Sequence, residues 1–167
     1  NTFFIPVDGR AQSELQGIME IAEKNKMGVI FYVAHAEAQL GREKTINLWI
    51  RDQSPEWQLS IHLANLDLSL LLGYKLLQNW DASMRVVTVV STQEHIYEAQ
   101  TYLSNLMSTA RIPKQCEILV QHCGFNEFLG RVPRADLNIF GLSTIVNKTF
   151  MESVVNNTKS SCIFVKT

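Results

Sequence analysis

Three cysteines in 167 residues are too few and too oddly placed to staple this chain. Cys116, Cys123 and Cys162 are separated by six and then by thirty-eight residues, which fits neither a disulfide framework nor a zinc-binding pattern. Cys116 and Cys162 stand in apolar, strand-like runs and read as buried reduced thiols, which suits a reducing compartment. Glycine is also scarce, with 8 in all, and neither G-x-G-x-x-G nor G-x-x-x-x-G-K occurs. Those spacings let a backbone approach a nucleotide phosphate, so their lack argues against the common phosphate cradles. Charge of one sign is missing as well. Fifteen basic and sixteen acidic residues give a formal net charge of -1, and no nucleic-acid partner is expected. No stretch approaches 18 apolar residues, so no bilayer span is expected. Phe3-Phe4-Ile5 is too short for a signal peptide and has no basic leader. The chain opens on Asn1 and not on Met, which we read as a piece cut from a longer polypeptide.

What remains is a folded composition, 46% hydrophobic and 19% charged, of a length that can build one real core. Phe3 to Val7 reads as a strand closed by the turn pair Asp8-Gly9. Ala11, Leu15, Ile18 and Ala22 follow at helical spacing, and Met27 to Val33 is a continuous apolar run of the buried-strand kind. The polar stretch from His35 to Lys44 reads as a connection. Ile46, Leu48 and Ile50 alternate with Thr45, Asn47 and Trp49, as a strand does. Trp57 to Leu63 alternates too and predicts a strand turning back at Ser54-Pro55, with a helix starting there as the competitor.

Asn65 is placed to cap a helix running to about Asn79, apolar nearly all round and therefore covered on more than one side. Met84 to Val90 is β-branched and reads as the central parallel strand. Ser91-x-x-Glu94 reads as a capping box for a helix with Ile96, Ala99, Leu103, Leu106, Met107 and Ala110 on one stripe. Strands are expected at Cys116–Val120, Leu137–Leu142 and Ser161–Val165, a short segment at Phe125–Leu129 and a helix at Lys148–Asn156. This alternation predicts an α/β fold: a mostly parallel, doubly wound sheet with helices on both faces. We divide the chain into residues 1–40, a strand–helix–strand extension resembling the tail of a preceding similar unit, and residues 41–167, the main domain.

Ligands of such sheets bind at the carboxyl ends of the strands. The loop after Val90, Ser91-Thr92-Gln93-Glu94, has no glycine, and its carboxylate would repel a phosphate. His122-Cys123 is the one pair suggesting a nucleophile, but neighbours in sequence rarely face each other. His35, His62 and His95 are scattered. Arg131, Arg134 and Asp136 suit an anion or partner contact, but read better as a solvated loop in which Asp136 caps or pairs locally. Trp49, Trp57, Trp80 and Tyr74 are expected around the first helix of the main domain, as core or subunit interface. No catalytic, cofactor-binding or metal-ligating residue is assigned, no cofactor or small-molecule ligand is expected, and the chain is not read as an enzyme.

Three stretches taken in order carry a resemblance: Thr45-Ile46-Asn47-Leu48-Trp49-Ile50, Leu68-Ser69-Leu70-Leu71-Leu72-Gly73-Tyr74-Lys75-Leu76-Leu77, and Met84-Arg85-Val86-Val87-Thr88-Val89-Val90. Together they resemble the cytosolic C-terminal domain of bacterial-type cation–chloride cotransporters, of the amino acid–polyamine–cation permease superfamily. The resemblance implies a universal-stress-protein-like fold on the cytoplasmic face of a membrane. It implies a homodimer, attached to the membrane part of the same polypeptide and devoted to regulation or assembly. Asn47 departs from the acid that is frequent there. Universal stress proteins hold phosphate in a glycine-rich loop at the position of Ser143 to Asn147, where only Gly141 precedes it here. The alternatives are a free-standing universal-stress-protein-like nucleotide-binding domain and a small α/β enzyme.

Overall fold

A computed structural model describes residues 1–54, 57, 66–113 and 116–167. Residues 58–63 of the strand expected over 57–63, Pro55 of its turn at Ser54-Pro55 and the cap at Asn65 lie outside the described residues. Among the described residues seven strands form one sheet: β1 (Thr2–Pro6), β2 (Gly28–Val33), β3 (Thr45–Trp49), β4 (Ser83–Val90), β5 (Glu117–His122), β6 (Leu137–Gly141) and β7 (Ser161–Lys166). The helices are α1 (Gln12–Lys24), α2 (Leu66–Asn79), α3 (Ile96–Thr109), α4 (Phe125–Leu129) and α5 (Lys148–Thr158). The strand order is β1-β2-β7-β6-β3-β4-β5. Every neighbouring pair is parallel except β2 with β7. The doubly wound sheet expected from the alternation is therefore present. β4, however, lies second from an edge, and β6 holds the centre.

Each face of the sheet has its own core. α1, α4 and α5 cover one face with Leu15, Met19, Phe128, Met151 and Val154 against Phe31, Trp49, Phe140 and Phe164. α2 and α3 cover the other with Leu70, Leu103 and Leu106 against Ile46, Leu48, Val86 and Ile139. Period two puts Leu48 and Trp49 on opposite faces. Trp49 is thus remote from α2, contrary to its expected place beside that helix, and packs edge-on to Phe125 and Phe128 instead. Tyr74 and Trp80 do lie on the α2 side.

Local sequence rules hold at some helix ends and fail at one. α1 closes where Lys26 takes a left-handed φ of 52° and Met27 N–H returns to the Ala22 carbonyl at 2.9 Å. Asn147 caps α5, its side-chain oxygen accepting from Phe150 N–H at 2.9 Å. The capping box expected at Ser91 and Glu94 does not form. A 3₁₀ turn at Gln93–His95 precedes α3, capped by Thr92 without a side-chain bond. Ser91 N–H donates instead to the Asp52 carboxylate at 3.1 Å, because the end of β4 lies beside the loop leaving β3.

The connection between β2 and β3 is held by one carboxylate. Asp136 accepts from the backbone N–H groups of Arg42, Lys44 and Thr45 at 3.1, 2.9 and 2.9 Å, and from Thr45 Oγ1 at 3.0 Å. The local pairing expected of Asp136 gives way to a distant one, since these partners lie 91 to 94 positions earlier in the chain. Gly41 makes the approach possible: its φ is +57°, and a Cβ there would come within 2.1 Å of Asp136 Oδ1.

Partial burial pushes the Asp136 carboxyl up, and the hydrogen bonds from Lys44, Arg42 and Thr45 outweigh it, leaving the pKa below 3.8. A carboxyl lowered on folding stabilises the native state above its unfolded pKa and loses that contribution as pH falls through the folded value. We expect Asp136→Asn to lower stability by about 2–3 kcal/mol at pH 7, since charge-assisted bonds are worth roughly 1.5–3 kcal/mol. Urea unfolding from pH 7 down to pH 3 checks it. The variant should show a shallower loss in acid, and an unchanged profile contradicts the assignment.

Candidate functional site

The winding of the sheet reverses between β3 and β6, where neighbouring chains leave in opposite directions. A crevice at the carboxyl ends of these strands is where doubly wound sheets accept ligands. Beside it lie residues 50–54 that follow β3, the loop after β4 and the loop from Leu142 to Asn147 that leads into α5.

In a phosphate-binding version of this fold, the free N–H groups at the start of α5 would supply donors. Here α1 takes them. Gln12 Oε1 accepts from Lys148 N–H at 2.7 Å, while Gln12 Nε2 donates to the Val146 carbonyl at 2.6 Å. Gln16 Oε1 accepts from Val146 N–H at 3.0 Å. Phe150 N–H is taken by the Asn147 cap, and Lys148 Nζ donates to the Arg10 carbonyl at 2.8 Å. The mouth of α5 is thus closed by two glutamines from the other end of the chain. Neither glutamine carries a local sequence signature, because their partners lie 130 to 136 positions away.

The opposite wall is likewise engaged. Asp52 accepts from Ser54 N–H at 2.8 Å, from the Ser54 hydroxyl, and from Ser91 N–H. Partial burial raises its carboxyl, and these bonds more than offset that, so its pKa is lowered. Thr88 Oγ1 donates to the Ile50 carbonyl at 2.7 Å, fastening β4 to the end of β3. Below the crevice an aromatic stack fills the sheet face. Trp49 stacks on Phe140 at 5.2 Å, Phe140 on Phe164 at 5.5 Å, and Phe125 on Phe150 at 6.2 Å. Trp49 Nε1 donates to Asn138 Oδ1 at 3.0 Å, leaving the buried Asn138 Nδ2 without an acceptor among the described residues.

The residues singled out in the sequence do not converge. His122 Nε2 lies 3.2 Å from the Ser91 carbonyl, while Cys123 packs against the core of the α5 face. His95 Nδ1 lies 3.1 Å from Thr92 Oγ1. His35 Nδ1 accepts from Ala38 N–H at 3.0 Å and braces the start of the β2–β3 connection. His62 lies outside the described residues. Arg131 pairs with Glu127 at 3.0 Å, and Arg134 is exposed. Among the described residues no three His, Cys, Asp or Glu side chains gather as a metal set would. Cys162 is buried, and desolvation pushes its thiol up to about 12, far from a nucleophile. Cys116 is only half-buried, less than its apolar run suggested, and its thiol is raised by the same cause. Asn47 is fully buried. Its amide donates to the Pro133 carbonyl at 2.9 Å, and its oxygen accepts from Arg85, which also bonds Glu117 at 2.8 Å. A carboxylate at Asn47 would keep the arginine but lose the donor to Pro133.

Residues 41–167 match the model of a family described as the prokaryotic cation-chloride cotransporter C-terminal domain, second unit. The crystal structure of the cytoplasmic domain of a prokaryotic cation chloride cotransporter is 32% identical to this chain. It superimposes with a TM-score of 0.90 over 99% of this chain and 63% of its own. A universal stress protein from Archaeoglobus fulgidus is 11% identical, with a TM-score of 0.59 over 99% of this chain and 60% of its own. At that identity it shows the fold alone. The chain spans less than two thirds of either relative. No curated protein matches. Among the described residues no helix is long and apolar enough to cross a membrane.

A nucleotide entering the crevice would have to displace Gln12 and Gln16 and approach Glu94. We therefore expect calorimetric titration with ATP and magnesium to give a dissociation constant weaker than about 10 μM, roughly -7 kcal/mol. Tighter binding would contradict this reading of the crevice.

Proposed function

The chain belongs to the family of prokaryotic cation-chloride cotransporter C-terminal domains, and from that premise we propose that it is the cytoplasmic, non-catalytic part of a cotransporter-like permease, serving regulation or assembly. The observation that carries this reading is the match over nearly the whole chain to the cytoplasmic domain of a cotransporter from that family. The crevice supports it. Groups that would meet a substrate in an enzyme of this topology are used here to hold loops to helices. The alternative, a free-standing nucleotide-binding stress protein, draws only on likeness of fold, and fold alone is a weak warrant for activity.

Assembly in this reading is a homodimer. α2 presents more apolar surface than the sheet beneath it covers. Ser69, Leu70 and Gly73 are buried, while Leu71 is 53% exposed. Beside it Leu70, Leu71, Tyr74, Ala110 and Ile112 line a shallow apolar groove between α2 and the end of α3. An exposed leucine bordering such a groove suits a self-complementary contact, and twofold dimers are the commonest soluble assembly.

Two measurements test this. Sedimentation at micromolar concentration should give twice 19.0 kDa, and Leu71→Asp should shift the species to a monomer. A monomer at every concentration without the substitution refutes the dimer. In the full-length protein, removing residues 1–167 should change ion flux, surface expression or oligomeric state. If all three stay as they were, regulation and assembly are the wrong roles. A parent polypeptide with no membrane spans would sink the placement itself.

A further inference from the structure

We draw no further inference here: the strongest candidate, the apolar groove lined by Leu70, Leu71, Tyr74, Ala110 and Ile112 between α2 and the end of α3, belongs to the contact already proposed above, and nothing in the structure shows what else would cover it.

Discussion

One antiparallel seam in an otherwise parallel sheet determines the rest of this structure. A parallel strand must be reached by a crossover, so a chain that keeps winding extends its sheet in one direction from each start. Two windings can join only where their terminal strands meet, and here β2 and β7 meet antiparallel. The seam is apolar at its middle, with Phe31 and Phe164 both fully buried. Truncating either to alanine would cost about 3–5 kcal/mol on the usual scale for buried aromatics. Without the seam, β1 and β2 would be a two-stranded sheet under one helix, too small to stand alone.

The seam also decides what the crevice can do. Bringing β2 beside β7 sets α1 beside α5, and that places Gln12 and Gln16 over the loop from Leu142 to Lys148. A phosphate at the mouth of α5 would meet glutamine oxygens already seated on the N–H groups it needs. Displacing them trades bonds worth about 1 kcal/mol each for bonds to an anion, and also strands the glutamine amides. The local pairing at Asp52 has the same character across the crevice. Chemistry-bearing side chains at these strand ends serve the architecture of the loops.

How much of this is legible in the sequence depends on the range over which each feature is determined. The strands at Thr45–Trp49, Ser83–Val90 and Ser161–Lys166 are readable because β-branched and apolar residues mark a strand wherever it lies. Strand order is not readable that way. Met84 to Val90 is as apolar as a central strand because both faces are packed, yet it lies one place from the edge. The face of Trp49 was available from alternation alone, since Leu48 faces α2. The capping box at Ser91 fails because Asp52, thirty-nine positions earlier, competes for the same N–H. Asp136, Gln12 and Gln16 leave no local trace at all, as each bonds to a partner that only the finished fold brings near.

Exposed apolar side chains lie on both sides of the sheet: Ile21 on α1, Ile145 in the loop leading to α5 and Phe150 on α5, against Phe4 and Leu71 on the side of α2. On the side of α1, α4 and α5 the crevice is closed by hydrogen bonds and the core is filled by stacked rings. On the side of α2 two apolar surfaces stay open, Leu71 on the helix and Phe4 on the sheet beyond it. Burying a phenylalanine or leucine side chain is worth about 1.5–3 kcal/mol, so leaving two of them in water on one side is a cost the isolated domain bears. Paired or covered, the same residues become a source of affinity. The polar groups of the other face cannot serve in that way, because each must first give up a partner inside the fold.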